Sequence, residues 1–140
     1  MAWNWFRSRA RNPTEQLVLG ERGEDFAARF LRRRGYKVLV RRFKSRGGEI
    51  DIVCRDRDWL VFVEVKTRET EEFGAPSESV QREKQRHLSK AALDYLRLLD
   101  NPRIHWRFDV VEVLLRQEAR QPDDLRLIRN AFDLSEPFIY

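Results

Sequence analysis

The stretch GGEIDIVCRDRDWLVFVEVKTR, residues 47–68, decides how the chain folds. Residues 48–55 and 59–67 are two β-type runs rich in Val, Ile and Phe, joined by the polar link RDRD, which reads as an antiparallel hairpin turning about Arg57 and Asp58. That turn sets Asp51 opposite Glu64. Directly opposed residues have Cβ atoms about 4.5–5.5 Å apart, so two carboxylates converge there. Within VFVEVK, Glu64 and Lys66 are two apart and share a face of the most apolar strand in the chain. An unpaired charge in a core costs several kcal/mol, so such a strand carries two only where they meet each other, a metal or a cleft.

Upstream, YKVLVRRF (residues 36–43) and the turn KSRGG add a strand near 36–42 and complete a three-stranded antiparallel meander. Before it, Asn12, Pro13 and Glu15 start a helix in which Leu19, Gly23, Phe26, Ala27, Phe30 and Leu31 recur at helical spacing. Gly35 ends that helix after about Arg34, and Gly20 and Gly23 suggest close approach to the rest of the fold. Downstream, after a loop with Phe73, Gly74 and Pro76, residues Val80, Leu88, Ala91, Ala92, Tyr95, Leu96 and Leu99 fall on one helical face, and Asn101 and Pro102 stop it. WRFDVVEVLL (106–115) then returns as a strand parallel to 59–67 through a right-handed crossover, and LRLIRNAF adds a small C-terminal edge strand. The expected architecture is α/β: helix, three-stranded antiparallel meander, helix, parallel strand. One domain is expected over residues 14–140, behind a flexible basic and aromatic tail, 1–13, holding Trp3, Trp5, Phe6, Arg7, Arg9 and Arg11.

A length of 140 residues fits one domain with a proper core. Charged residues make up 36%, well above the average of about 25%, while 11% aromatics argue against disorder. Twenty-eight Lys and Arg against twenty-three Asp and Glu leave +5, which favours a polyanionic partner. The excess is local: between Phe26 and Gly48 every charge is basic, in Arg29, Arg32, Arg33, Arg34, Lys37, Arg41, Arg42, Lys44 and Arg46. One cysteine, Cys54, excludes a disulfide framework and points to a reducing, cytoplasmic setting. Cys54, His87 and His105 are too few for a structural zinc site. No signal-peptide core and no run of about 18 apolar residues is present, so no membrane partner is expected.

Two converging carboxylates repel each other unless a cation intervenes. Magnesium held by Asp51 and Glu64, with waters or the Val65 carbonyl completing its shell, removes the conflict with the hard oxygen ligands that ion prefers. Lys66 beside it is placed to orient or help deprotonate a water and to stabilise charge developing on a phosphate. The plainer alternative is a Glu64–Lys66 ion pair at a frayed strand end, with Asp51 as a turn residue.

GERGEDFAARFLRRRGY, GGEIDIV, VFVEVKTR, FGAP, a helix with Lys84 and a late YL, RFDVVEV and NAF together resemble the YraN family of bacterial proteins, over about Gly20 to Phe132. That family in turn resembles the PD-(D/E)XK nucleases, and among them the archaeal Holliday-junction resolvases. The resemblance implies a restriction-endonuclease-like core and a magnesium- or manganese-dependent endonuclease acting on DNA, including branched DNA. It assigns metal binding to Asp51 and Glu64 and the superfamily lysine to Lys66. Glu24 matches the helical acidic residue that often completes the site; it borders the buried stripe, while Glu21, the alternative, faces more toward solvent, and either reads equally well as an ordinary exposed glutamate. Ile50 stands where the motif name has proline, and Arg42 where such sequences often have asparagine.

Arg32, Arg33, Arg34, Arg41, Arg42, Lys44, Arg46 and Lys84 are the expected nucleic-acid contacts, gripping phosphates without reading bases. A non-catalytic nucleic-acid-binding protein retaining the fold is the competing expectation; a protein-interaction module leaves Asp51, Glu64 and Lys66 unexplained. Symmetric cutting of two strands usually takes a two-fold dimer, and no segment marks a dimer surface, so a homodimer stays open.

Overall fold

The computed structural model describes residues 12–69, 81–138 and 140. The expected N-terminal tail, the loop with Phe73, Gly74 and Pro76, and Val80 lie outside the described residues.

The elements are α1 (Pro13–Arg33), β1 (Lys37–Ser45), β2 (Gly48–Asp56), β3 (Trp59–Arg68), α2 (Arg82–Leu98), β4 (His105–Leu114) and β5 (Asp124–Phe132). At the start of α1 the Glu15 N–H donates to Asn12 Oδ1 at 2.8 Å and the Asn12 N–H to Glu15 Oε2 at 3.3 Å, a reciprocal cap worth about 1 kcal/mol. The helix closes where Tyr36 N–H donates back to the Leu31 carbonyl past Gly35, whose φ of 89° suits glycine.

The five strands lie in sequence order; β1, β2 and β3 form the antiparallel meander, β4 pairs parallel to β3, and β5 adds an antiparallel edge. This is the expected α/β arrangement, consistent with a restriction-endonuclease-like core. Alternation of apolar residues gives the sheet two buried faces. Ile52, Cys54, Val61, Val63, Val111 and Val113 meet Leu19, Ala27, Ala28 and Leu31 of α1. Ile50, Val53, Phe62, Phe108 and Val110 meet Leu88, Ala92, Tyr95 and Leu96 of α2. β3 is buried on both faces from Leu60 to Val63, as its unbroken apolar run requires. The stripe on α2 ends at Leu96; Leu99, expected on the same face, caps the helix and is exposed.

β1 is longer than expected, and its pairing with β2 shifts register between Val38 and Val40. Val40 and Phe43 pack on the α2 side, as do Ile50 and Val53 of β2, although strict alternation forbids a spacing of three. Arg42, with φ 55°, lies between the rungs Arg41↔Ile52 and Phe43↔Ile50 and resets the alternation there. The glycines of the KSRGG turn answer to packing rather than to turn dihedrals, since a Cβ on Gly48 would stand 2.7 Å from the His87 carbonyl oxygen of α2.

Asp109 on β4 is fully buried and fully satisfied. It accepts from Tyr36 Oη, Arg107 Nε and the Asn130 N–H, each at 2.9 Å, and Arg107 also reaches Asp56 at 2.8 Å. This network ties β4 to β2, to the end of β5 and to Tyr36 between α1 and β1. Among the described residues no helix is long and apolar enough to cross a membrane.

Candidate functional site

The hairpin link is the two-residue turn Arg57–Asp58, flanked by the pair Asp56↔Trp59, and its register runs back to Ile52↔Val63. One rung further the ladder stops. There the Val65 N–H donates not to a β2 carbonyl but to Asp51 Oδ2, at 2.8 Å. A side-chain oxygen in place of a backbone one lets β2 and β3 part, and a cleft of about 490 Å³ opens at the split. Gln16, Leu19, Gly20 and Glu24 of α1 bound one side, Lys84 of α2 the other, and Asp51, Glu64, Val65 and Thr67 form its floor, with exposed Lys66 at the rim.

The helix can sit this low because residue 23 is glycine: a Cβ there would collide with Thr67 Oγ1 of β3. Gly20 was expected to serve the same approach. Instead nothing lies within 4 Å of where its Cβ would be, because it faces the open cleft.

Glu64 is 7% exposed. Its Oε1 meets Lys84 Nζ at 3.5 Å, and its Oε2 is buried with no hydrogen-bond partner among the described residues. Burial first, and the Asp51 charge second, push the Glu64 carboxyl up to about 8. Burial likewise raises Asp51, against the hydrogen bond from Val65. Two carboxyl groups that both resist ionising, close enough to share a proton and with one oxygen that accepts no hydrogen bond from the described residues, offer a set of hard oxygen donors of the kind magnesium or manganese takes. Asp51 and Glu64 therefore fit such an ion.

Glu24 reaches the same cleft but is also engaged by arginines. Its Oε1 receives Arg42 Nε at 3.3 Å and lies 4.0 Å from Arg41. Burial, then Asp51, still raise its pKa against those arginines. Among the described residues no group of three or more His, Cys, Asp or Glu is gathered closely enough to hold a metal ion. Glu21 faces Arg42 at 3.7 Å and does not line the cleft. Lys66 lies at the rim, and the partner of Glu64 is Lys84, not Lys66.

The matching family model is that of the uncharacterised protein family UPF0102, and it spans residues 23–113. The chain belongs to the UPF0102 family. A UPF0102 protein of Geobacter sulfurreducens is 47% identical over 120 residues, covering 84% of this chain and 91% of its own. Another, of Desulfosudis oleivorans, is 44% identical over 114 residues, covering 81% and 89%. A third, of Rhodococcus jostii, is 44% identical over 119 residues, covering 83% and 97%. The family-model match takes in Glu24, Asp51, Glu64, Lys66 and Lys84, so the UPF0102 region contains the whole cleft floor.

The basic block of this UPF0102 chain is divided by the fold. Arg41 is held by Asp25 at 2.7 Å and Arg42 by Glu24 and Glu21, so both are neutralised by α1. Arg32, Arg33 and Arg34 are exposed at the far end of α1, eight or more residues beyond Glu24, about 12 Å along the axis. Lys44 and Arg46 are exposed at the β1–β2 hairpin, beside α2. Lys84 alone of the eight expected contacts lines the cleft.

Sequence reasoning passed over Glu112. It stands in register with Lys66 on the neighbouring strand, and its Oε1 is buried without a partner among the described residues. A glutamate inside the apolar run DVVEVLL was the available signal.

Proposed function

We propose that this chain is a metal-dependent endonuclease of the PD-(D/E)XK type, hydrolysing phosphodiester bonds in DNA, with branched DNA the first substrate to test. The observation that carries the reading is the buried, unpartnered Glu64 Oε2 beside Asp51 in a cleft rimmed by Lys66 and Lys84. Asp51 and Glu64 would hold magnesium or manganese, which when bound supplies a Lewis acid for the phosphate oxygen and lowers the pKa of a bound water.

The protein's own groups do the rest. The Val65 N–H fixes the Asp51 carboxylate, so that ligand needs no reorganisation when the site is used. Lys66 and Lys84 offer ammonium donors to the non-bridging oxygens of a phosphate, and Lys66 is placed to orient the attacking water. The exposed arginines at the end of α1 and the basic β1–β2 hairpin attract the backbone over a wider surface, through charge rather than base contacts.

The capture of Glu24 by Arg41 and Arg42 favours a second reading, a nucleic-acid-binding protein that keeps the fold without cutting. Incubating the purified protein with linear, flap and four-way-junction DNA, in magnesium, manganese or EDTA, separates the two. Metal-dependent cleavage that Asp51→Asn abolishes without loss of DNA binding supports the nuclease. Binding with no cleavage under any of these conditions supports the binding protein.

A further inference from the structure

Lys84 occupies the first turn of α2, where the helix dipole disfavours a cation. A lysine there slightly weakens its own helix, and its ammonium reaches away from the helix to a carboxylate. Its Nζ meets Glu64 Oε1 at 3.5 Å, the one polar contact of that carboxylate to a cation among the described residues, while Oε2 is left bare. Asp51, the other carboxylate of the pair, is already engaged by the Val65 N–H. The ammonium therefore answers one oxygen of the pair and leaves Glu64 Oε2 open.

A divalent ion between Asp51 and Glu64 needs the oxygen that Lys84 holds, and it repels the ammonium from the same spot. Lys84 is free to yield: its side chain is about half exposed, at 53%, on a flexible four-carbon stem. Once displaced it remains at the rim of the cleft as an unpaired donor for an anion. We propose that Lys84 is an internal competitor for the metal seat, which holds Glu64 until a divalent cation arrives and is then released toward the phosphate backbone. Metal loading and polyanion binding are thereby coupled, and by linkage each strengthens the other.

Lys84 can compete only for a seat that takes a metal, so the inference rests on the metal reading of the cleft. Calorimetric titration of manganese alone into the metal-free full-length protein, without DNA, tests it. Lys84→Met should bind manganese roughly five- to tenfold more tightly than wild type, the order expected for removing a partly screened cation from one ligand oxygen. Lys84→Arg, which keeps the charge, should bind as wild type does, and Asp51→Asn should lose binding with either residue at 84. Lys84→Gln gives the same comparison should the methionine disturb folding, as thermal melting will show. Equal or weaker binding by the uncharged variants, with Asp51→Asn still abolishing it, overturns the role of Lys84 and leaves the metal site standing. Absence of any manganese binding that depends on Asp51 overturns both.

Discussion

Replacing Glu64 by glutamine should make the metal-free protein more stable, although it alters the residue at the centre of the site. Burial and the Asp51 charge raise the Glu64 carboxyl from its ordinary value near 4.5 to about 8. In the unfolded chain it ionises freely, so folding at pH 7 either takes up a proton or buries a charge. At about 1.36 kcal/mol per pKa unit, that penalty has a ceiling of about 3 kcal/mol at pH 7. Glutamine avoids it but brings an amide with its own hydrogen-bonding needs into the buried site, which returns about 1–2 kcal/mol. A net gain of about 1–2 kcal/mol remains. At roughly 2.1 cal/mol/K per residue for 140 residues, this is a rise of about 3–7 °C in Tm. Because the native-state pKa is raised, the wild-type stability is fully present below about pH 4.5 and is lost as the pH climbs through about 8. The advantage of Glu64→Gln should therefore be small at pH 5 and larger at pH 8, in urea titrations run in EDTA. Millimolar manganese should then stabilise wild type and not the variant, reversing the order. A variant equally destabilised at pH 5 and pH 8 would show that Glu64 is an ordinary structural ion-pair partner, and would refute the reasoning.

Gly23→Ala should destabilise the fold by about 1–3 kcal/mol through the clash with Thr67, and Thr67→Ala should recover part of that loss in a double-mutant cycle followed by urea unfolding. Asp109→Ala removes the acceptor of the Tyr36 hydroxyl, Arg107 Nε and the Asn130 N–H, leaving Arg107 paired with Asp56 alone among the described residues, and should cost about 3 kcal/mol in the same assay. Tyr36, held up to about 12 by burial and then by Asp109, should titrate at lower pH in Asp109→Asn, read from tyrosinate absorbance. Reversing Arg32, Arg33 and Arg34 should flatten the salt dependence of DNA binding more than altering Arg41 and Arg42, whose charges α1 already answers; equal effects in a salt series would place the DNA elsewhere.

The hairpin was legible because two short-range facts fix it: the polar RDRD link and the side-chain period of two. From these alone Asp51 and Glu64 fall opposite each other, and the structure puts both in one cleft. The helices, the parallel β4 and the edge strand β5 were legible for the same reason, since periodicity and stop signals are local. Competition between side chains was not. Glu24 borders the buried stripe of α1, but whether it turns to Asp51 or to Arg42 depends on a positive φ in β1, at an arginine whose identity gives no warning of it. Lys84 reads as one more cation on a basic surface until the crossover sets the first turn of α2 above Glu64. RFD in β4 reads as strand; that its aspartate gathers Tyr36, Arg107 and Asn130 follows from three separate segments meeting.

The bond from the Val65 N–H to Asp51 has a spectroscopic consequence. An amide proton shared with a carboxylate feels the charge on that group directly, so its nitrogen–proton cross-peak should move when Asp51 is protonated or coordinates a cation. Val65 thus offers a single-site gauge of metal occupancy in an isotope-labelled sample, one that needs neither a substrate nor turnover. Its exchange with deuterated solvent should also slow when the cleft is filled, because opening that bond then requires the ligand to leave first.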